Sequence, residues 1–379
     1  MRETIRDAVV IGAGPAGSAA AAILAEAGFE PLVIEKDRFP RRKVCGEFLS
    51  GSARESLARL DVLAEIAGEA APIERGSVRL CRGRSVDFDL SARAFGISRF
   101  RLDQILARRA AERGAEIRFG CRVLGVEKDG GGPTLLRLAG DGGREESVRA
   151  HSVVGAWGRW DALDRTLHRR FLVRGGRFFG WSRDYEPVPG ALEGDVRLYL
   201  FRGGYCGLSR VEGGRIHLAG VISEARRRRL PSGWDAAVAH ARRDNPALDR
   251  DLAALPVRSP DGDLGTGPVY FTTKRPSERG ALMAGDAAGV IDPFLGEGLA
   301  AALASGILAG ETLAAALSGR IRMEEAGALY ARAWRRRLRS RIGWGAALRG
   351  LMLHPGAAAF AARIAGDGLA RAALARLAI

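Results

Sequence analysis

A glycine-rich turn between two apolar segments near the start of the chain constrains the fold more than any other feature. Residues 5–11 predict a buried strand, and the turn Gly12-Ala13-Gly14-Pro15-Ala16-Gly17 has the G-x-G-x-x-G pattern. An alanine-rich helix follows, from Pro15 to about Ala27, and residues 31–34 predict a second strand that ends at Glu35. This order of strand, turn, helix and strand is typical of a parallel α/β sheet that binds a dinucleotide.

Each part of this unit has a physical role in holding a pyrophosphate. Gly12 allows a tight turn, Gly14 lets backbone N–H groups approach the phosphates, and Gly17 lets the helix pack closely on the sheet. The helix N-terminus adds unpaired N–H groups and the positive end of its dipole. Glu35 is placed to accept hydrogen bonds from ribose hydroxyls, and its charge would repel a 2′-phosphate. The pattern therefore predicts FAD or NAD rather than NADP.

The composition is that of a globular protein with an excess of arginine. The 379 residues carry a formal net charge of +15, yet only four of the 59 basic residues are lysines. The basic residues are spread along the chain, with the densest cluster at 226–229 and no recognisable nucleic-acid motif, so we expect no nucleic-acid binding. An acidic partner, an anionic lipid or a carrier-protein-linked substrate stays open as a minority expectation.

The cysteines and the apolar segments bear on metal binding and localisation. Cys45, Cys81, Cys121 and Cys206 have neither C-x-x-C nor histidine-linked spacing, so we predict no metal site and expect reduced thiols in a cytoplasmic protein. Charged residues lead directly into the first strand, which is unlike a signal peptide. The longest apolar span, residues 299–309, is shorter than the about 18 residues that a membrane span needs. We expect at most peripheral membrane association, and the sequence indicates no oligomeric state.

The basic loop after Glu35 reveals a family resemblance. The segment Arg42-Lys43-Val44-Cys45-Gly46-Glu47, together with the N-terminal turn, resembles the FAD-dependent geranylgeranyl reductase and aromatic hydroxylase superfamily, which is p-hydroxybenzoate hydroxylase-like. We interpret Arg42 or Lys43 as neutralising the pyrophosphate, while Cys45 and Gly46 run beside the redox ring. The resemblance also implies a discontinuous FAD domain. The FAD contacts expected in these first segments are Gly12, Ala13, Gly14, Pro15, Ala16, Gly17, Glu35, Lys36, Arg42, Lys43, Cys45 and Gly46.

Later segments extend this resemblance to FAD. Arg99, at the start of a helix predicted to run to about Arg113, is similar to an FAD-contacting arginine of the superfamily. In the family the acid that matches Asp286 holds the ribityl chain or a ribose, and the loop that matches 293–298 lines the isoalloxazine. An apolar helix follows, and its N-terminus can stabilise negative charge on a reduced flavin. The further FAD contacts expected are Arg99, Val123, Gly285, Asp286, Pro293, Gly296, Glu297, Gly298 and Leu299.

One segment departs from the pattern of the superfamily. Where its members usually have Gly-Ala-Asp-Gly, this chain has Gly155-Ala156-Trp157-Gly158. The missing acid weakens the case for direct reduction by NAD(P)H, which remains the candidate electron donor. A second G-x-G-x-x-G turn is absent from the sequence, so we expect no dedicated NAD(P) domain.

Alternating residues in the middle of the chain predict the substrate site. Segments 196–200, 205–211 and 216–221 read as antiparallel strands that are joined by glycine turns and form the floor of a cavity. The predicted lining residues are Tyr205, Cys206, Leu208 and Phe294. Cys45, Glu47 and Cys206 are hypothetical catalytic residues, and no general base is evident.

The predicted fold class is α/β, with three regions. A discontinuous Rossmann-type FAD-binding domain comprises residues 1–75, 98–160 and 276–320. An antiparallel-sheet substrate domain comprises residues 76–97 and 161–275, and a C-terminal helical region comprises residues 321–379.

Three functions agree with these features. The leading expectation is a flavin monooxygenase that hydroxylates or epoxidises an aromatic, polyketide or other lipophilic substrate of secondary metabolism. The alternative is a flavin-dependent C=C reductase of the geranylgeranyl reductase type, which the basic Cys-Gly loop favours. A non-catalytic flavin-binding or lipid-docking protein is the third. A halogenase of this superfamily would carry a Trp-x-Trp-x-Ile-Pro run, which this sequence lacks.

Overall fold

Two mixed β-sheets organise the chain in the computed structural model, which describes residues 5–81, 85–128, 130–173, 177–258 and 263–354. The strands are β1 (Ile5–Ile11), β2 (Pro31–Glu35), β3 (Phe48–Leu49), β4 (Ala71–Arg79), β5 (Ser85–Gly96), β6 (Glu116–Phe119), β7 (Arg122–Glu127), β8 (Thr134–Ala139), β9 (Glu145–Gly155), β10 (Phe178–Tyr185), β11 (Gly194–Phe201), β12 (Gly204–Arg210), β13 (Ile216–Ser223), β14 (Leu264–Val269), β15 (Ser277–Glu278) and β16 (Ala281–Met283). The helices are α1 (Pro15–Glu26), α2 (Arg54–Arg59), α3 (Leu63–Glu69), α4 (Arg99–Glu112), α5 (Ala162–Thr166), α6 (Glu224–Arg227), α7 (Trp234–Asp244), α8 (Pro246–Ala253), α9 (Gly298–Leu317) and α10 (Met323–Met352).

The first sheet has the order β15-β16-β9-β1-β2-β6, and the β7–β8 hairpin joins it through β9. β1 pairs in parallel with β2 and β9, and β16 pairs in parallel with β9. Parallel strands that are covered on both faces read as continuous apolar runs, which is why residues 8–11 and 31–35 are buried throughout. The α/β fold class with strands from distant segments is therefore confirmed.

Close helix packing beside this sheet explains the richness of the chain in alanine and glycine. α1 crosses α9 so closely that a Cβ on Gly306 would overlap the Ala16 carbonyl oxygen, and one on Gly310 would lie 2.8 Å from the Ala20 oxygen. Larger side chains would separate the two backbones and open a void between them. The small residues thus allow α9 to seat on the helix that begins at the glycine turn.

The second sheet has the order β14-β10-β13-β12-β11-β4-β5-β3, and its pairs are antiparallel except for β4 with β11. The three predicted strands in the middle of the chain correspond to β11, β12 and β13. β3 and the first residues of β4 belong to this sheet, although they fall within the segment 1–75 that we assign to the FAD domain.

The two long C-terminal helices differ in their surroundings. α9 is long and apolar enough to cross a membrane by length and composition, and it exceeds the expected apolar span of 299–309. In this fold 67% of its apolar 18-residue window is buried. α10 packs against α9. The remainder of the predicted helical region, from residue 355 onward, lies outside the described residues.

Candidate cofactor and substrate site

A long groove runs along the carboxyl end of the first sheet, where ligands bind in open α/β sheets. We call it the cofactor groove. Its wider part is lined by Gly14, Pro15, Ala16, Lys43, Val44, Cys45, Gly46, Phe48, Arg99, Arg159, Gly285, Asp286, Pro293, Gly296, Gly298 and Leu299, among others. A narrower part continues past Gly12, Glu35, Lys36, Arg41, Val123 and Trp157.

The glycine turn closes the groove beneath α1. Gly12 has φ +103°, which favours glycine, and a Cβ there would lie 2.6 Å from the Ala156 carbonyl oxygen. A Cβ on Gly17 would overlap the Gly12 carbonyl. No side chain caps the N-terminus of α1 at Gly14, so its N–H groups are available to an anion. Among the predicted contacts, Ala13 and Gly17 do not line the groove but build the turn.

The narrow part of the groove carries the acid that follows β2. Glu35 is buried, and its carboxylate accepts hydrogen bonds from the backbone N–H groups of Ala13 (2.8 Å) and Asp37 (3.0 Å). Arg41, which sequence reasoning missed, lies 3.5 Å from Glu35 and 3.1 Å from Asp103. Lys36 forms an ion pair of 2.9 Å with Asp161 at the same end.

Cations concentrate along the wide part of the groove. The Arg99 guanidinium donates two hydrogen bonds of 2.7 Å to the Asp103 carboxylate. Burial lowers the pKa of Arg99, but the pairing with Asp103 outweighs this effect, so the pKa is raised above its ordinary value. Burial, assisted by Arg41 and Arg99, lowers the pKa of Lys43 to about 8. A bound anion would relieve the repulsion among these cations, so this region of the groove is electrostatically suited to a pyrophosphate.

Arg42 requires a correction, because it does not line the groove beside Lys43. Its guanidinium forms an ion pair of 2.6 Å with Asp184, in a separate cleft that also contains Glu212 and Arg215. Consecutive residues in an extended loop point to opposite sides, so only one of the two cations reaches the groove. Lys43 is therefore the candidate pyrophosphate contact.

A buried polar cluster lies on the other side of the Cys45-Gly46 loop. His217 Nδ1 is 2.6 Å from Asp184 Oδ1, and its Nε2 is 2.8 Å from the Cys45 carbonyl oxygen. Both ring nitrogens thus face oxygen acceptors, which an imidazolium satisfies by donating from both. Burial opposes this charge, but Glu47 and Asp184 raise the pKa of His217. His217 lies on β13, far in the sequence from Cys45 and Asp184, and no sequence pattern around it identified it as part of the site.

Glu47 belongs to this cluster rather than to the cavity. Its carboxylate faces His217 (3.4 Å) and Arg215 (3.5 Å), and it accepts a hydrogen bond of 3.1 Å from the backbone N–H of Arg99. Burial raises the pKa of Glu47 although both cations oppose this. The hypothesis that Glu47 is catalytic lacks a geometric basis, since its carboxylate contacts neither the groove nor the cavity. Arg42 and Arg215 neutralise the acids here, and we assign no metal to the cluster.

The loop between Asp292 and Glu297 is fixed from both ends. Asp292 accepts hydrogen bonds from the Tyr205 hydroxyl and the Phe294 N–H (3.1 Å), and it pairs with Arg349 at 3.1 Å. Glu297 turns away from the groove toward Ser52 (2.9 Å) and Arg341, which corrects its assignment as a cofactor contact. The loop backbone between the two acids therefore faces the groove.

An apolar cavity adjoins the wide part of the groove and shares part of its lining. The shared residues are Val44, Cys45, Gly46, Phe48, Arg159, Val221, Pro293 and Gly296. Beyond them the wall is aliphatic and aromatic, including Leu198, Tyr205 and Phe294, and the rings of the last two meet edge to face at 5.6 Å. The predicted lining residues Tyr205 and Phe294 lie in this wall.

Cys206 and Leu208 are corrected, because they do not line the cavity. β12 alternates, so Tyr205, Gly207 and Ser209 face the cavity while these two side chains enter the core on the opposite face of the sheet. Cys206 is fully buried there, and burial raises the pKa of its thiol. A catalytic role for Cys206 is therefore unsupported by its position.

Trp157 stands where the superfamily has an acid, and its side chain has a structural role that the sequence did not predict. Its buried indole packs over Gly155, and its N–H donates to Asp164 (3.2 Å), the residue that completes the capping box of α5. Two residues later Arg159 donates to the Val44 carbonyl (2.9 Å) and lines both the groove and the cavity. Burial lowers the pKa of Arg159. Arg159 is a candidate functional residue to which we give no role from the sequence alone.

The residues present fit FAD. The uncapped N-terminus of α1 and the cation Lys43 suit its pyrophosphate, and Glu35 and Asp286 stand where hydroxyl groups need acceptors. The loop 292–297 borders the end of the groove that meets the cavity. An elongated dinucleotide can therefore lie along the groove with its redox ring beside the cavity.

Comparisons with known proteins agree with this geometry. Residues 6–178 match the family model described as an FAD binding domain. Digeranylgeranylglycerophospholipid reductase 1 from Methanopyrus kandleri is 30% identical over 320 residues, which cover 82% of this chain and 81% of the relative. A menaquinone reductase from Mycobacterium tuberculosis is 29% identical over 337 residues, which cover 81% of this chain and 76% of the relative.

Solved structures share the fold at lower identity. A geranylgeranyl bacteriochlorophyll reductase-like protein from Thermoplasma acidophilum has a TM-score of 0.77 at 20% identity, over 93% of this chain and 88% of that one. A myxobacterial chondrochloren halogenase has a TM-score of 0.76 at 21% identity, over 88% and 79%. FAD is thus the cofactor, and the chain belongs to the FAD-dependent oxidoreductases of the geranylgeranyl reductase and aromatic hydroxylase type.

Proposed function

We propose that this oxidoreductase hydrogenates carbon–carbon double bonds in the isoprenoid chain of a lipid or quinone. The observation that carries the proposal is the apolar cavity that shares the Cys45-Gly46 loop with the cofactor groove. The names of the relatives described above, a digeranylgeranylglycerophospholipid reductase and a menaquinone reductase, support the same class of substrate.

The chemistry of the cavity wall favours a hydrocarbon substrate. Gly180, Gly207 and Gly220 expose flat backbone between apolar side chains, which suits an extended chain. Arg159 is the one charged side chain among the described lining residues, and none of them is a carboxylate or an imidazole. Burial of apolar surface, at about 25 cal/mol per Å², would bind a chain without polar partners. A base that could ionise a phenol is absent from the same described lining.

The residues of the chain supply orientation and a proton. When bound, FAD supplies the redox chemistry, in the form of a hydride for the substrate. The second carbon of the double bond then needs a proton, and Cys45 lies where the groove meets the cavity. Burial raises the pKa of the Cys45 thiol, which keeps it protonated at neutral pH. We assign Cys45 as the proton donor.

A flavin monooxygenase is the second candidate function, and one feature favours it. The apolar wall beside the groove would exclude water from the reacting atoms, as insertion of oxygen into a substrate also requires. In that case the cavity would take an aromatic or polyketide substrate, free or linked to a carrier protein. NAD(P)H is the proposed electron donor in both cases.

The test combines anaerobic reduction with product analysis. The purified holoenzyme is reduced anaerobically with NADPH, NADH or dithionite and mixed with geranylgeraniol in detergent. We expect reoxidation of the flavin and a mass gain of two hydrogens per double bond, and we expect Cys45→Ala to lose at least about tenfold of this rate. Cys206→Ala, which removes a thiol from the core on the other side of the sheet, is the matched control.

The outcomes separate the candidates. Reoxidation that requires dioxygen and adds one oxygen atom to a substrate would replace the reductase with the monooxygenase. If Cys45→Ala reduces geranylgeraniol at the wild-type rate, as the control Cys206→Ala is expected to do, the assignment of Cys45 is wrong. Bleaching by dithionite but by neither nucleotide would identify a separate reductase as the electron donor.

A further inference from the structure

The two faces of α10 carry arginines with different surroundings. Tyr330, Trp334, Leu338 and Ile342 follow one another at four-residue spacing and are buried against the first sheet and α9. Arg341 and Arg349 lie on the same side of the helix and pair with Glu297 and Asp292. The opposite side carries exposed residues that we call the arginine stripe. Its members are Arg332, Arg335, Arg336 and Arg339.

The arginine stripe is unneutralised. In the part of the chain that the structure describes, no carboxylate lies within 4 Å of any of its four guanidiniums, whereas several other surface arginines are paired. Arg101, for example, bonds Glu69 at 2.6 Å, and Arg113 bonds Glu26 at 3.0 Å. The four residues occupy positions i, i+3, i+4 and i+7, so they form one row about 10 Å long.

An exposed apolar side chain extends the row. Leu329, which is 42% exposed, lies one turn before Arg332 and two turns before Arg336 on the same side of α10. Attraction of cations to anionic lipids and burial of apolar side chains both add to the binding of a helix at a bilayer surface. Guanidiniums bind phosphate oxygens in bidentate fashion.

We propose that the arginine stripe and Leu329 dock this protein on a bilayer surface that contains anionic phospholipid. The inference rests on the proposed function, because an isoprenoid lipid or quinone must be drawn from a membrane. α10 also connects the stripe with the cavity: its last residue, Met352, packs in the apolar cluster with Phe294 and Tyr205. One helix therefore runs from the docked stripe to the wall of the cavity.

The occupant follows from charge and shape. The stripe presents positive charge on the convex face of a helix, where its four arginines are exposed. A flat lattice of phosphates matches such a row, and attraction to it adds about equally for each basic residue. The other large arginine cluster, at residues 226–229, is partly occupied, since Arg228 pairs with Glu224 at 2.9 Å and Arg227 lies over Trp234.

The experiment is co-sedimentation of the full-length holoenzyme with vesicles of phosphatidylcholine, with and without a third of phosphatidylglycerol. We expect binding that requires phosphatidylglycerol and weakens with salt. The variant R332Q/R335Q/R336Q/R339Q should lose at least about tenfold of this binding. The matched control R226Q/R227Q/R228Q/R229Q removes the same number of charges and should bind nearly as the wild type does. Retained FAD absorbance shows that each variant is folded.

Three outcomes would overturn the proposal. These are absence of binding to anionic vesicles, equal loss of binding in both variants, and saturable binding to an acidic carrier protein instead of vesicles. Vesicle binding is measured without turnover, and the reduction of geranylgeraniol is measured in detergent without vesicles. Failure of the docking proposal is thereby distinguished from failure of the proposed function.

Discussion

At the scale of single residues, the cofactor groove is governed by how its buried cations are paired. Arg99 is neutralised by Asp103 and keeps its charge at any accessible pH. Lys43 has no such pairing in the described structure, and burial together with two neighbouring arginines lowers its pKa to about 8. The charge of Lys43 in the wide part of the groove therefore responds to pH near neutrality.

The affinity for FAD should fall as the pH rises through about 8. The protonated form of Lys43 attracts the pyrophosphate and the neutral form does not, so the attraction is present below this pKa and is lost above it. Lys43→Met should weaken binding by about tenfold at pH 7 and flatten the pH profile, as measured by quenching of flavin fluorescence.

The neighbouring arginine provides the control for this prediction. Arg42→Met also removes one positive charge, but from the cleft where Arg42 pairs with Asp184. It should leave the pH profile of FAD binding intact. An equal change of that profile in both variants would contradict the assignment of Lys43.

Because of His217, the free energy of unfolding should fall as the pH rises above neutrality. Its folded-state pKa is raised above the unfolded value of about 6.5, so its contribution to the free energy of unfolding is fully present below pH 6.5. That contribution is lost as the pH rises through the folded-state pKa. Urea unfolding at pH 6 and pH 9 should show this loss in the wild type, and His217→Gln should be less stable at pH 6 with a smaller difference between the two values.

An exposed histidine on the first sheet serves as the comparison. His151 is exposed on β9, and His151→Gln should retain the pH dependence of the wild type. If His217→Gln shows the full wild-type difference between pH 6 and pH 9, the imidazolium is not its source.

At the scale of elements, periodicity and turn residues determine how much can be predicted. β11, β12 and β13 follow from alternation and from the glycine turns between them, and α9 follows from its long apolar run. Alternation puts Tyr205 on one face of β12 and both Cys206 and Leu208 on the other, so the prediction that all three line the cavity conflicts with the strand period, and alternation alone leaves open which face meets the cavity. α7 and α8 pack against the face of β12 that carries Cys206 and Leu208, so the other face meets the cavity. The residues of β12 alone do not predict this packing.

The contact between α1 and α9 should tolerate no added methyl group at its centre. Gly306→Ala would place a Cβ on the Ala16 carbonyl oxygen, so we expect a loss of about 1–3 kcal/mol in the free energy of unfolding. Gly343→Ala is the matched control, because a Cβ there meets nothing within 4 Å on an exposed position of α10. It should raise stability by about 0.5–1 kcal/mol. Chemical denaturation measures both, and a stable Gly306→Ala would contradict this packing.

At the scale of the whole molecule, the parts that could be predicted are those whose residues are near one another in the sequence. Glu35 follows the last glycine of the turn by only 18 residues, within one βαβ unit, and the loop at 293–298 is a continuous run. His217 contacts the carbonyl of Cys45 from 172 residues away, and Arg159 reaches Val44 from 115 residues away. Such contacts depend on how the two sheets are joined, so a local pattern carries no sign of them.

The seating of α9 on α1 also bears on how the protein is made. β16 and α9, which complete the first sheet and cover α1, leave the ribosome more than 250 residues after the glycine turn and β1. The alanine face of α1 must wait for its partner while these intervening residues are made, and the second sheet emerges in between. The cofactor-binding half can therefore be finished only after α9 has been made, and a chain interrupted before residue 298 would carry the complete glycine turn without the structure that holds it in place.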